Sequence, residues 1–191
     1  MPVAEIFWER WKRVEAFHER VQNPLELIAL CEATWGAKSF LEIGSKRGGT
    51  LWCVAAHMAK GARVVSVDLH HPPFYPDLSA IADDLRGEGF DVHTIRGYSQ
   101  SVTTQAAVDA LGPFEWVFID GNHTRECAEN DWARYGSKAT KACAFHDIAW
   151  DGAGRPFHGC GEVFRELAKS YAHDVIVVDP AEEMGIGIIW K

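Results

Sequence analysis

Glu42, Gly44, Gly48, Gly49 and Asp68 are the residues whose types and spacing point most directly to chemistry. In Ser39-Phe-Leu-Glu-Ile-Gly-Ser-Lys-Arg-Gly-Gly-Thr-Leu51 a short apolar run ends in an acid, a glycine turn and a helix start. A strand of that kind in an open α/β sheet delivers Glu42 to the carboxyl edge. Gly44, Gly48 and Gly49 let the backbone pass close to a ligand. Val64-Val-Ser-Val-Asp-Leu69 repeats the pattern and puts Asp68 at the end of the next strand. A carboxylate at this separation accepts hydrogen bonds from ribose hydroxyls. The two segments together predict a ligand containing adenosine.

The glycine spacing narrows the ligand. A dinucleotide fingerprint places a second glycine where the pyrophosphate approaches the helix N-terminus, and that position here is Lys46. A phosphate-binding P-loop continues Gly-Lys-Ser/Thr, whereas Gly49 is followed by Thr50-Leu51. The pattern E-x-G-x-x-x-G-G suits a ligand without phosphates, such as S-adenosylmethionine. The competing reading of a lone glycine turn is an ordinary strand-to-helix connection, and Asp68 is what argues against it.

These residues need elements to hold them. Apolar runs at Ser39–Ile43, Arg63–Val67, Val92–Arg96, Trp116–Asp120, Ala142–His146, Val175–Val178 and Ile186–Trp190 read as strands. Helical segments between them begin near Gly49, Leu78, Ser101, Arg125 and Gly161. Alternation of this kind implies a parallel sheet with right-handed crossovers. Only Asp179 to Gly185 separates the last two strands, too few residues for a crossover, so they are expected to pair antiparallel. Before the first strand, Val3 to about Val21 has helical spacing, and Asn23-Pro24 caps a second helix running to about Trp35.

The 191 residues, 47% of them hydrophobic, are expected to form one domain, with residues 1–36 as an N-terminal helical cap. A net charge of −8 argues against nucleic-acid and anionic-membrane partners, which call for a basic face. The five cysteines are scattered without C-x-x-C spacing and read as reduced thiols. Met1 to Val21 carries charge throughout, unlike a signal peptide, and no apolar run approaches the ~20 residues of a membrane span. The expectation is a cytoplasmic protein. Its oligomeric state is open, a homo-oligomer included.

A mostly parallel seven-stranded sheet closed by an antiparallel hairpin resembles the Rossmann-like, three-layer class I methyltransferases. Within them the chain is similar to the methyltransferase family 24 / cephalosporin-hydroxylase-like group. The residues carrying this are Leu41 to Gly49, Val64 to Asp68, Phe118-Ile-Asp-Gly-Asn-His-Thr124, Phe145-His-Asp-Ile148 and Met184-Gly-Ile-Gly-Ile188. The resemblance implies S-adenosylmethionine as cofactor and O-methylation of a hydroxylated small molecule, sugar or natural-product-like. It implies Glu42, Gly44, Ser45, Gly48, Asp68 and Asp120 around the cofactor, with Tyr98 and Ser99 at the adenine. The alternatives are a non-catalytic S-adenosylmethionine-binding domain or partner subunit, and a nicotinamide oxidoreductase, which Lys46 disfavours.

In that fold Asp120 and Asp147 end neighbouring strands, ~4.8 Å apart. Two carboxylates so placed repel each other unless a positive charge lies between them. A divalent cation, magnesium or manganese, answers that need and would activate an acceptor hydroxyl. The expected ligands are Asp120, Asp147 and His146, the last because Ile148 stands where catechol-type O-methyltransferases carry an asparagine. His123 stands where those enzymes place a proton-accepting lysine, and an imidazole can do the same near neutral pH. His146 is the competing base. The glycine-rich Ala149 to Gly161 is expected to form an acceptor lid around Trp150, Arg155 and Phe157.

Overall fold

β1 (Ser39–Ile43) lies at the centre of a seven-stranded sheet because its side chains find apolar partners on both faces. Phe40 joins the core on one face, and Leu41 and Ile43 join the core on the other. The computed structural model describes residues 2–16, 22–69, 75–149, 159–179 and 184–191. β2 (Arg63–Asp68), β3 (Asp91–Arg96), β4 (Trp116–Ile119) and β5 (Ala142–His146) run parallel to β1. β6 (His173–Ile176) and β7 (Ile186–Trp190) complete the order β3-β2-β1-β4-β5-β7-β6. β7 is antiparallel to both neighbours, as the short connection before it requires.

Helices cover both faces. α1 (Val3–Glu15), α2 (Pro24–Ala33), α3 (Gly49–Ala55) and α4 (Tyr75–Gly87) pack on one side. α5 (Val102–Asp109), α6 (Arg125–Arg134) and α7 (Gly159–Leu167) pack on the other. This is the expected Rossmann-like three-layer sandwich. The Asn23 side chain accepts the Leu25 N–H at 2.9 Å and Pro24 opens α2, so the Asn-Pro pair caps that helix as its types predict.

The expected and observed elements differ mainly at their ends. α1 ends at Glu15, and residues 17–21 lie outside the described residues. β6 begins two residues before the apolar run, at His173, because its register against β7 pairs His173 with Ile189. As an edge strand it is largely exposed, so hydrophobic alternation marks it poorly. The expected lid around Trp150, Arg155 and Phe157 lies outside the described residues.

β4 stops at Ile119 and β5 at His146, which leaves Asp120 and Asp147 one residue past the sheet edge. The Asp120 N–H donates to the Ile43 carbonyl at 2.9 Å and the Gly44 N–H to the Val67 carbonyl at 2.8 Å, drawing three strand ends together. Gly44 is left-handed, and a Cβ there would stand 2.2 Å from the Asp120 carbonyl oxygen. Only glycine permits that approach.

Candidate active site

A cavity of about 820 Å³ opens at the carboxyl ends of β1, β2, β4 and β5. That volume is of the size of a small-molecule or cofactor site. Glu42, Gly44, Ser45, Asp68, Tyr98, Ser99, Asp120, His123, His146 and Asp147 all line it. Gly48 stands just behind, as the left-handed residue preceding α3, and its N–H donates to the Ser45 carbonyl at 2.6 Å.

On the β1–β2 side the turn is held by its own hydrogen bonds. The Lys46 N–H donates to Asp68 Oδ2 at 2.8 Å, and Lys46 itself is left-handed with φ 48°. A side chain in that conformation costs roughly 1 kcal/mol, so the contact with Asp68 sustains local strain beside the cavity. Ser66 Oγ donates to Ser45 Oγ at 2.8 Å beneath it. Glu42 is buried, and its Oε2 has no hydrogen-bond partner. Burial first, and then the negative charge of Asp120, push its carboxyl well above the usual range.

Beyond β3, Tyr98 is 70% exposed at the cavity rim. The Tyr135 hydroxyl donates to the Ser99 carbonyl and ties this loop to α6. One turn earlier on α6, Asp131 is buried with neither carboxylate oxygen partnered, and burial raises it to about 6.

At the β4–β5 end, two imidazoles interleave with two carboxylates. His146 Nδ1 lies 3.0 Å from Asp120 Oδ1 and 3.1 Å from Asp147 Oδ1, though neither contact is aligned as a hydrogen bond. His123 Nδ1 lies 2.8 Å from Asp147 Oδ2, and its Nε2 lies 3.4 Å from Asp120 Oδ1. Asp147 is left-handed with φ 55°, a conformation aspartate tolerates better than most residues. The Gly159 N–H donates to the His123 carbonyl at 2.7 Å, so the start of α7 fixes the loop carrying that imidazole.

These contacts decide the charge states. Burial would raise the Asp120 carboxyl, but His146 and His123 outweigh it and hold the group at about 2. Burial would lower His123, but Asp120 and Asp147 push it up to about 10. His146 is raised in the same way, with Asp120 the largest contributor after burial opposes the shift. Two imidazoles, both raised, thus stand beside the two carboxylates. Among the described residues, no group of three His, Cys, Asp or Glu side chains forms a ready-made metal site.

One participant lies outside every motif read from the sequence. Gln22 is buried, lines the cavity, and donates from Nε2 to Asp120 Oδ2 at 2.8 Å. No sequence signal marks it, since it falls between an amphipathic stretch and a helix cap. Lys46, singled out only as a missing glycine, holds Asp68 through its backbone.

Residues 41–148 match the Methyltransf_24 family, a methyltransferase domain, and cover more than half of the chain. The chain belongs to that family. This methyltransferase is similar in fold to an O-methyltransferase from Bacillus cereus solved in complex with S-adenosylhomocysteine. Their identity is 15% and the TM-score 0.66, with 98% of this chain and 91% of that chain covered. It is also similar to the O-methyltransferase TomG from Streptomyces achromogenes, involved in tomaymycin synthesis and solved with S-adenosylmethionine. There the identity is 18% and the TM-score 0.67, covering 97% of this chain and 89% of that one. A third similar structure is cofactor-bound Rv0187 from MTB, at 16% identity and a TM-score of 0.72, with coverage of 97% and 89%. At these identities the likeness establishes the class I methyltransferase fold.

The residues present fit S-adenosylmethionine. The cavity runs from Asp68, at the end of β2, across Glu42 and Gly44 to Asp120, and it contains buried acceptor atoms without partners. No helix among the described residues is long and apolar enough to cross a membrane.

Proposed function

We propose that this chain is an S-adenosylmethionine-dependent O-methyltransferase acting on a hydroxylated small molecule, sugar or natural-product-like. In this reading it is a single cytoplasmic domain of residues 1–191, capped by residues 1–36, with neither nucleic acid nor membrane as partner. One observation carries the reading: a single cavity joins the Glu42–Asp68 turn to the Asp120–His123–His146–Asp147 cluster. A cofactor pocket and a proton-handling group are what methyl transfer requires.

The cofactor supplies an electrophilic methyl on a sulfonium. Asp68 holds the ribose, Tyr98 and Ser99 meet the adenine, and Glu42, Gly44, Ser45, Gly48 and Asp120 receive the remainder. As the hydroxyl oxygen bonds to the methyl carbon and the carbon–sulfur bond breaks, the hydroxyl proton passes to an imidazole. His123 is the first candidate and His146 the second. With its proton held by two carboxylates, His123 is charged at neutral pH before the acceptor enters. An acceptor hydroxyl that displaces one carboxylate from His123 removes part of what holds that proton. The imidazole then becomes a competent base.

A second reading adds a divalent cation, although no ready-made group of three ligands lies among the described residues. His146 Nδ1 is buried without an aligned partner, within 3.1 Å of an oxygen of each carboxylate. Asp120, Asp147 and His146 would hold the ion, manganese suiting the imidazole better than magnesium. When bound, it would lower the pKa of a coordinated hydroxyl.

Methyl-labelled S-adenosylmethionine, offered with a panel of sugars, phenols and polyketide-like alcohols, tests the main reading. Labelled methyl ether is the expected product. Cofactor binding without turnover on any acceptor would instead mark a non-catalytic domain or partner subunit. Repeating the assay with EDTA separates the two mechanisms, because loss restored by manganese or magnesium requires the cation.

A further inference from the structure

Gln22 stands apart from the residues assigned so far. It precedes α2, yet it reaches a residue ninety-eight positions away at the far end of the cavity. Two anchors fix this stretch of chain. Asn23 caps α2, and the buried Glu26 carboxylate accepts the N–H groups of Val178 and Gly185, each at 3.0 Å. Gln22 therefore presents its amide from a rigid support. Its Nε2 donates to Asp120 Oδ2, while Oε1 is buried without a hydrogen-bond partner. Leaving a buried amide oxygen unpaired is unfavourable, which points to a ligand donor as its partner.

The topology says which part of the ligand that is. Strand order β3-β2-β1-β4 places Asp68 over β2, Tyr98 and Ser99 beyond β3, and Asp120 past β4. With the ribose on Asp68 and the base toward β3, the amino-acid tail of the cofactor runs the other way, over β1 toward β4. The cavity wall there holds Glu42, whose Oε2 also lacks a partner, the Asp120 carboxylate and Gln22. All three offer acceptor oxygens, and an ammonium offers three N–H donors.

We propose that Gln22 is a cofactor-recognition residue whose carbonyl oxygen accepts a hydrogen bond from the ammonium of the S-adenosylmethionine tail, while its amide N–H holds Asp120 in place. The inference rests on the cofactor reading above and assigns a residue of the N-terminal segment to the site.

The test compares two ligands differing in that tail. S-Adenosylhomocysteine carries the ammonium, whereas 5′-methylthioadenosine keeps the nucleoside and sulfur but lacks the amino-acid group. In calorimetry, Gln22→Leu should weaken S-adenosylhomocysteine at least ten-fold and leave 5′-methylthioadenosine within about two-fold of wild type. Equal weakening of both ligands, or no change in either, overturns the proposal. If Gln22→Leu fails to fold by circular dichroism, Gln22→Asn, one methylene shorter, must show the same split between the ligands or the proposal falls. Wild-type protein that binds neither nucleoside overturns the cofactor reading itself, and this inference with it.

Discussion

Replacing Asp68 by alanine probes the ribose contact, and the structure sets the size of the effect. Asp68 Oδ2 already accepts the Lys46 N–H at 2.8 Å, so one carboxylate oxygen is committed to the turn. A ribose hydroxyl donating to this carboxylate makes a charge-assisted hydrogen bond, worth about 1.5–3 kcal/mol. Asp68→Ala should therefore weaken S-adenosylhomocysteine by roughly 10- to 150-fold in calorimetry. The same substitution also frees the strained Lys46 turn, which could lower affinity without any ribose contact. Ligands lacking the ribose hydroxyls separate the two causes in a double-mutant cycle. If Asp68 holds the ribose, wild type discriminates between S-adenosylhomocysteine and its dideoxy analogue, and the variant binds both alike. Discrimination that survives in Asp68→Ala would refute the assignment, whatever the overall loss of affinity.

Two further variants test the charge states. His123→Ala should lower turnover about 10²-fold with S-adenosylhomocysteine affinity nearly intact, read by steady-state kinetics beside calorimetry. Because His123 is raised from 6.5 to about 10 on folding, its stabilising contribution is complete below about pH 6.5 and is lost as pH rises toward 10. Denaturation of wild type should show that decline, and His123→Ala should flatten it. Asp131, raised from 3.8 to about 6, penalises the folded state increasingly as pH rises from about 3.8 to 6, and by roughly 3 kcal/mol above that. Asp131→Asn should thus stabilise the protein in urea at pH 8 and have little effect at pH 3.5. Equal effects at both pH values would contradict the account of its burial.

The sheet was legible because its strands are short apolar runs bounded by glycine and acid. Glu42, Gly44 and Asp68 follow from that pattern, since a strand end fixes where its next residue points. Asp120 and Asp147 were legible in the same way, and the need for positive charge between them followed from electrostatics. How the two imidazoles reach the carboxylates was not legible. His123 and His146 each lie within 3.4 Å of both carboxylates, and Asp147 meets them from a left-handed backbone that no spacing announces. The raised His123 has the same origin, being a property of distances to two partners from different loops. Gln22 was invisible because its partner lies ninety-eight residues away, and a single amide carries no periodicity. The left-handed backbone of Lys46 was not legible either, because glycine is the residue expected to bear it.

Calorimetric titration of the purified chain with S-adenosylhomocysteine and, separately, with NAD tests the central claim most directly. The account predicts saturable one-to-one binding of S-adenosylhomocysteine and none of NAD, because Lys46 occupies the place where a pyrophosphate would need glycine. Binding of NAD with no response to S-adenosylhomocysteine would contradict it.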